Sequence, residues 1–223
     1  MKPATRRRTR LLLGIAAFYI ALWLLWLTPV IFPLKIFVVL LHEISHALAA
    51  LATGGAVQRI TLDMNQGGAT YVLGGNALLI LSAGYLGSLL WGLLLIELAA
   101  ARTRYTRWAV GALGAFVLVI AVLYVRNLFG VIFTALFGAA LIVSAQRLPA
   151  RGVANVLLIL GLTSALYALL DIRSDILSRP EVRSDAALLY ELTGVPTLVW
   201  GVLWIGLAGA ACWIAVRRWW GRV

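Results

Sequence analysis

Long apolar runs, interrupted by short polar or turn-forming stretches, set the rhythm of this chain. Seven stand out, at about 11–32, 34–53, 75–100, 108–126, 127–145, 152–178 and 195–216. Each approaches or exceeds the roughly 20 residues that carry an α-helix across a bilayer. The interruptions have local causes. Pro33 parts the first two runs, and Arg102, Thr103, Arg104 and Arg107 part the third and fourth. Arg126-Asn127 is a shorter break, and Arg147-Leu148-Pro149-Ala150-Arg151 is a loop. One stretch, 56–73, has a different period. Ile60, Leu62 and Met64 alternate with Arg59, Thr61 and Asp63, as in a strand. Asn65-Gln66-Gly67-Gly68 then supplies turn chemistry, and Thr70, Tyr71 and Val72 favour a second strand, so the segment predicts a β-hairpin. The expected fold is an all-α polytopic membrane protein with about seven transmembrane helices and one short β-hairpin, in a single domain over 1–223.

Composition supports the membrane assignment. Hydrophobic residues make up 63% of the 223 and charged residues 12%, against about 25% charged in a soluble domain. The net charge of +11 would point to nucleic acid in a soluble protein. Here the arginines lie at the ends of the apolar runs, where they suit lipid headgroups, and no nucleic-acid-binding motif is present. Lys2, Arg6, Arg7, Arg8 and Arg10 precede the first run. That run, Leu11 to Phe32, is too long for a typical signal-peptide core and lacks a small-x-small cleavage site near its end, so a membrane helix is expected. The basic cluster favours a cytosolic N-terminus. The single cysteine, Cys212, excludes an internal disulfide and a cysteine-built zinc site.

The only two histidines fall in one motif, Leu41-His42-Glu43-Ile44-Ser45-His46, inside the second apolar run. On a helix, residues four apart share a face, so both imidazoles can reach one ion. Glu43 points to a neighbouring angle, beside the ion, where it can take a proton from a metal-activated water and return it to a leaving amine. Ionisable side chains at membrane depth cost about 2.5–3.5 kcal/mol each on the gentler scale, which argues for a use. Two histidines one turn apart cannot grip opposite faces of a haem, and the paired Glu-x-x-His motifs of a di-iron site are missing. Zinc is the expected cofactor, and it needs one more protein ligand and one open position.

The segment LLHEISHALAALATGG, the hairpin with Gly67-Gly68, the SAGYLGSLLWG helix and the late segments YALLDI and SDAALLYELTGVP together resemble the site-2 protease family of intramembrane zinc metallopeptidases, in its small bacterial branch without a PDZ domain. The resemblance spans most of the chain. It implies cleavage of transmembrane protein substrates within or near the bilayer of a bacterial cell. It also implies a third zinc ligand from an Asp in a later helix, in a pattern close to Asn-x-x-Pro-x-x-x-Leu-Asp-Gly. Leu170-Asp171 matches the Leu-Asp pair, while Ile172 replaces the Gly, Thr163 takes the Asn position and the prolines are missing.

Depth along the helices agrees with Asp171, provided the sixth helix runs unbroken to Ser178. His46 then lies about 12 Å from the end of its helix and Asp171 about 12 Å from Arg179. Asp175 would be one turn too shallow, and a partner for Arg173 or Arg179. Asp185, which reads first as a helix N-cap, is the alternative ligand if its loop folds back into the membrane. Gly84, Ser88 and Gly92 recur every four residues and predict close helix packing. Asp63 is expected to be exposed, and Trp219 and Trp220 suit an interfacial belt. The leading functional expectation is an intramembrane zinc metalloprotease with Glu43 as general base and acid. A non-hydrolytic metal-binding or transport protein and a pseudoprotease chaperone remain as alternatives.

Overall fold

The structure, a computed structural model, describes residues 3–26, 28–173 and 184–222. In chain order the elements are α1 (Pro3–Leu24), α2 (Phe32–Ala52), β1 (Ala56–Leu62), β2 (Gly68–Leu73), α3 (Ala77–Ala99), α4 (Thr103–Tyr124), α5 (Leu128–Arg147), α6 (Ala150–Arg173), α7 (Asp185–Thr193) and α8 (Thr197–Arg222). Among the described residues, six helices are long and apolar enough to cross a membrane: α2 to α6 and α8. The apolar part of α1, Leu12–Leu24, is shorter. The protein is a polytopic integral membrane protein of helices with one two-stranded sheet.

Helix boundaries follow local chemistry. The first run was expected to stay helical to Phe32. Instead α1 stops at Leu24 and a series of turns leads to α2. Pro33 therefore sits in the first turn of α2, where its missing N–H would have had no partner. At Arg126-Asn127 the break is complete: Val125 is extended, and Arg126 donates to the last carbonyls of α4. The short helix α7 was not among the seven predicted. Helical continuation to Ser178, and the positions of Asp175 and Arg179, lie outside the described residues, as do the side chains of Trp219 and Trp220.

Helix α2 is the centre of the bundle. Its buried positions run almost continuously from Lys35 to Ala47, and Ile36, Phe37, Leu40, Leu41 and Ile44 belong to the main core. An apolar helix enclosed by others needs small residues where backbones cross. Gly92 of α3 faces Gly161 of α6, and a Cβ added at either would meet backbone atoms of the other helix within 2.8 Å. Gly114 of α4 and Gly138 of α5 form a second such crossing. The predicted packing role of the α3 repeat holds for Gly92, and Gly84 has a separate one described below.

The hairpin folds back along α2. At its base Gly55 donates to Ala50 O (2.8 Å). Further along, Thr70 reaches Glu43, about 10 Å up the helix axis. The strands are antiparallel, with Ile60 opposite Thr70 and Leu62 opposite Gly68, and a bulge near Gln58. Ile60 and Leu62 are buried as the alternation requires, whereas Met64 belongs to the turn and is exposed. Asp63 is exposed as expected and accepts from Asn65 N (2.6 Å). The turn was expected to include Gly68, but Gly68 begins β2. The outer edge of β1 is occupied by the α4–α5 junction. Ile60 bridges to Val125, and the Asn127 side chain makes a strand-like pair with Leu62, donating to Leu62 O (2.7 Å) and accepting from Leu62 N (3.1 Å). Among the described residues no strand pairs with the outer edge of β2.

Candidate metal centre

Helix α2 presents His42 and His46 on one face, toward α3. Their rings lie 4.7 Å apart between centroids. Gly84 of α3 makes room for both: a Cβ there would fall 2.3 Å from His42 Nε2 and 2.6 Å from His46 Nε2. Tyr85, the next residue, is buried and meets the His42 ring edge-on at 5.2 Å.

A carboxylate completes the cluster, and it belongs to Asp185. Its Oδ2 lies 3.0 Å from His42 Nε2 and 3.2 Å from His46 Nε2. Among the described residues, His42, His46 and Asp185 form the one group of three or more potential ligand residues whose ligand atoms all lie within 4.8 Å of one another. Asp171, the residue expected from the resemblance and from depth, does not join the group. It stands in the last described turn of α6, half-buried. The chain instead returns after position 183 with Ser184-Asp185 at the depth of the histidines.

The local reason is a change of cap. Asp185 was read first as the N-cap of the following helix, but Ser184 holds that position and accepts from Ala187 N (3.3 Å). Asp185 is therefore the first residue of α7, and its carboxylate is left to face the imidazoles. Helix α7 is anchored by Ala186 and Leu189, which are fully buried against Tyr85, Ile172 and Trp204, and it ends at Gly194 in the left-handed conformation.

These donors fit zinc. Ligands about 2.0–2.1 Å from a tetrahedral ion sit about 3.3 Å apart, close to the 3.0 and 3.2 Å separations here. His46 Nδ1 lies 2.6 Å from Ile80 O. A proton on Nδ1, donated to that carbonyl, fixes the tautomer in which Nε2 offers a lone pair to the cluster, the usual arrangement of a metal-bound histidine.

Glu43 sits beside the group, 5% exposed. Its carboxylate does not enter the ligand cluster. Thr70 Oγ1 of β2 lies 2.7 Å from Glu43 Oε2 and 2.9 Å from Glu43 O. Sequence reasoning did not find Thr70, Tyr85, the Ile80 carbonyl or the use of Gly68 against Glu43. Adjacent Ser184 and Asp185 did carry one signal: one helix start needs one cap, which leaves a carboxylate over.

The membrane helices thus bring two histidines one turn apart to face a carboxylate, with a glutamate alongside, a donor set suited to a metal ion. The Peptidase M50B-like family profile matches residues 15–215, and the chain belongs to that family, a site-2 protease family. No curated protein and no solved structure matches the chain.

Proposed function

We propose that this protein is an intramembrane zinc metalloprotease that hydrolyses peptide bonds in membrane-spanning segments of other proteins. The observation that carries the reading is the convergence of His42, His46 and Asp185 with Glu43 buried beside them. His42 and His46 would hold zinc through Nε2, and Asp185 through its carboxylate. When bound, zinc supplies a Lewis acid and lowers the pKa of water toward 7.

The rest falls to the chain itself. Glu43 takes the proton of the attacking water on its carboxylate and returns it to the leaving amine. Gly84 keeps the imidazoles close to α3, and α7 brings the third ligand. A helical substrate hides its peptide bonds, so it must be extended before it is cut. The edge of β2 that no strand pairs among the described residues offers hydrogen bonds to such an extended segment by strand addition, and β2 is the strand that touches Glu43.

The reading is tested with purified protein and a membrane-spanning reporter in liposomes. Cleavage should stop when a chelator strips the metal and return on adding zinc to about one equivalent per chain. Cleavage that survives complete metal removal would contradict it.

A further inference from the structure

Resting on that reading, we propose that strand β2 is the positioning device for the general base: Thr70 orients the Glu43 carboxylate and Gly68 gives it room. A glutamate has three side-chain torsions, and burial alone does not choose among its rotamers. The Thr70 hydroxyl has one proton to donate and lies 2.7 Å from Glu43 Oε2 and 2.9 Å from the Glu43 carbonyl oxygen, so that proton is shared between, or chooses between, the tip and the backbone of the same residue. With Oε2 held, Oε1 is the oxygen that lies against Gly68.

Gly68 closes the same space from the strand's end. A Cβ there would lie 2.7 Å from both Glu43 Cγ and Glu43 Oε1. Its backbone is not among the glycines in the left-handed region, so the neighbour, and not the backbone, requires glycine. The strand has firm support. Thr70 pairs with Ile60, Ile60 bridges to Val125, and Asn127 clamps Leu62, the partner of Gly68. The bundle therefore sets the direction of the base through the sheet, and the substrate-binding edge and the support of the base share one strand.

The test compares Thr70→Val, Thr70→Ser and Gly68→Ala with wild type and Glu43→Gln, measuring zinc content, thermal unfolding, kcat and KM on the liposome reporter. Thr70→Val should keep its zinc and its KM and lose kcat by roughly 10- to 100-fold, the scale of a slightly misplaced catalytic group. Thr70→Ser, which restores the hydroxyl, should stay within about threefold of wild type in kcat. Wild-type kcat in Thr70→Val, or Thr70→Ser as slow as Thr70→Val, would overturn the proposal. If Thr70→Val does not fold, Gly68→Ala decides. Lower kcat at full zinc upholds the proposal, and unchanged kcat overturns it. The two readings fail separately. Cleavage by wild type and its loss in Glu43→Gln uphold the protease whatever the Thr70 variants do. A wild type that holds no zinc and cuts nothing removes both.

Discussion

Glu43→Gln is expected to keep its zinc and to lose peptide hydrolysis. The substitution is nearly isosteric and leaves His42, His46 and Asp185 untouched. The amide oxygen can still accept from Thr70, so the side chain has reason to stay where the carboxylate was. What it loses is the ability to take a proton from water and deliver it to the amine. A positioned general acid–base is worth about 10²- to 10⁴-fold in rate, so turnover should fall by at least two orders of magnitude. Metal analysis and single-turnover cleavage on the same purified sample check both halves. Zinc retained with normal turnover would remove Glu43 from the mechanism. A wild type that binds zinc but cuts no membrane-spanning segment would favour the metal-binding or chaperone readings, which need no base at this position.

Asp185→Ala is expected to lose zinc, and Asp171→Ala to keep it. Asp185 Oδ2 is the atom that faces both histidines, and the side chain is 14% exposed. Its removal leaves two imidazoles, fewer than the three protein ligands of a catalytic zinc site. The helix it belongs to should survive, because Ser184 makes the cap and Ala186 and Leu189 make the packing. Zinc content should fall from about one per chain to near zero after dialysis, while the thermal transition persists. Asp171→Ala should retain full zinc, because Asp171 does not join the ligand group. The reverse pair of results would return the third ligand to α6.

The parts of this fold that depend on short-range pattern were legible in the sequence. Apolar length gave the spans, the two-residue alternation at Ile60 and Leu62 gave the hairpin, and the four-residue spacing of His42 and His46 gave the shared helical face. Pro33 was read as a break and turned out to start a helix, because proline is tolerated in the first turn, and the actual break lies in the preceding turns. What the sequence hid was tertiary. Depth along a helix is a one-dimensional measure, and it pointed to Asp171 on the premise of a sixth helix running to Ser178, a stretch outside the described residues. The cluster that forms holds Asp185, and nothing in local propensity records that Ser184-Asp185 lies beside the histidines. The contacts of Thr70 and Gly68 with Glu43 are hidden for the same reason. They depend on the hairpin folding back along α2, which follows from the burial of Ile60 and Leu62 and the clamp of Asn127 on a strand 65 residues away in sequence.

Zinc K-edge absorption of the purified wild-type protein tests the central claim most directly. The expected result is about one zinc per chain, with nitrogen and oxygen neighbours at about 2.0–2.1 Å, the outer-shell pattern of two imidazoles and no sulfur. Protein that takes up no stoichiometric zinc, or zinc whose spectrum lacks the two-imidazole pattern, would contradict it.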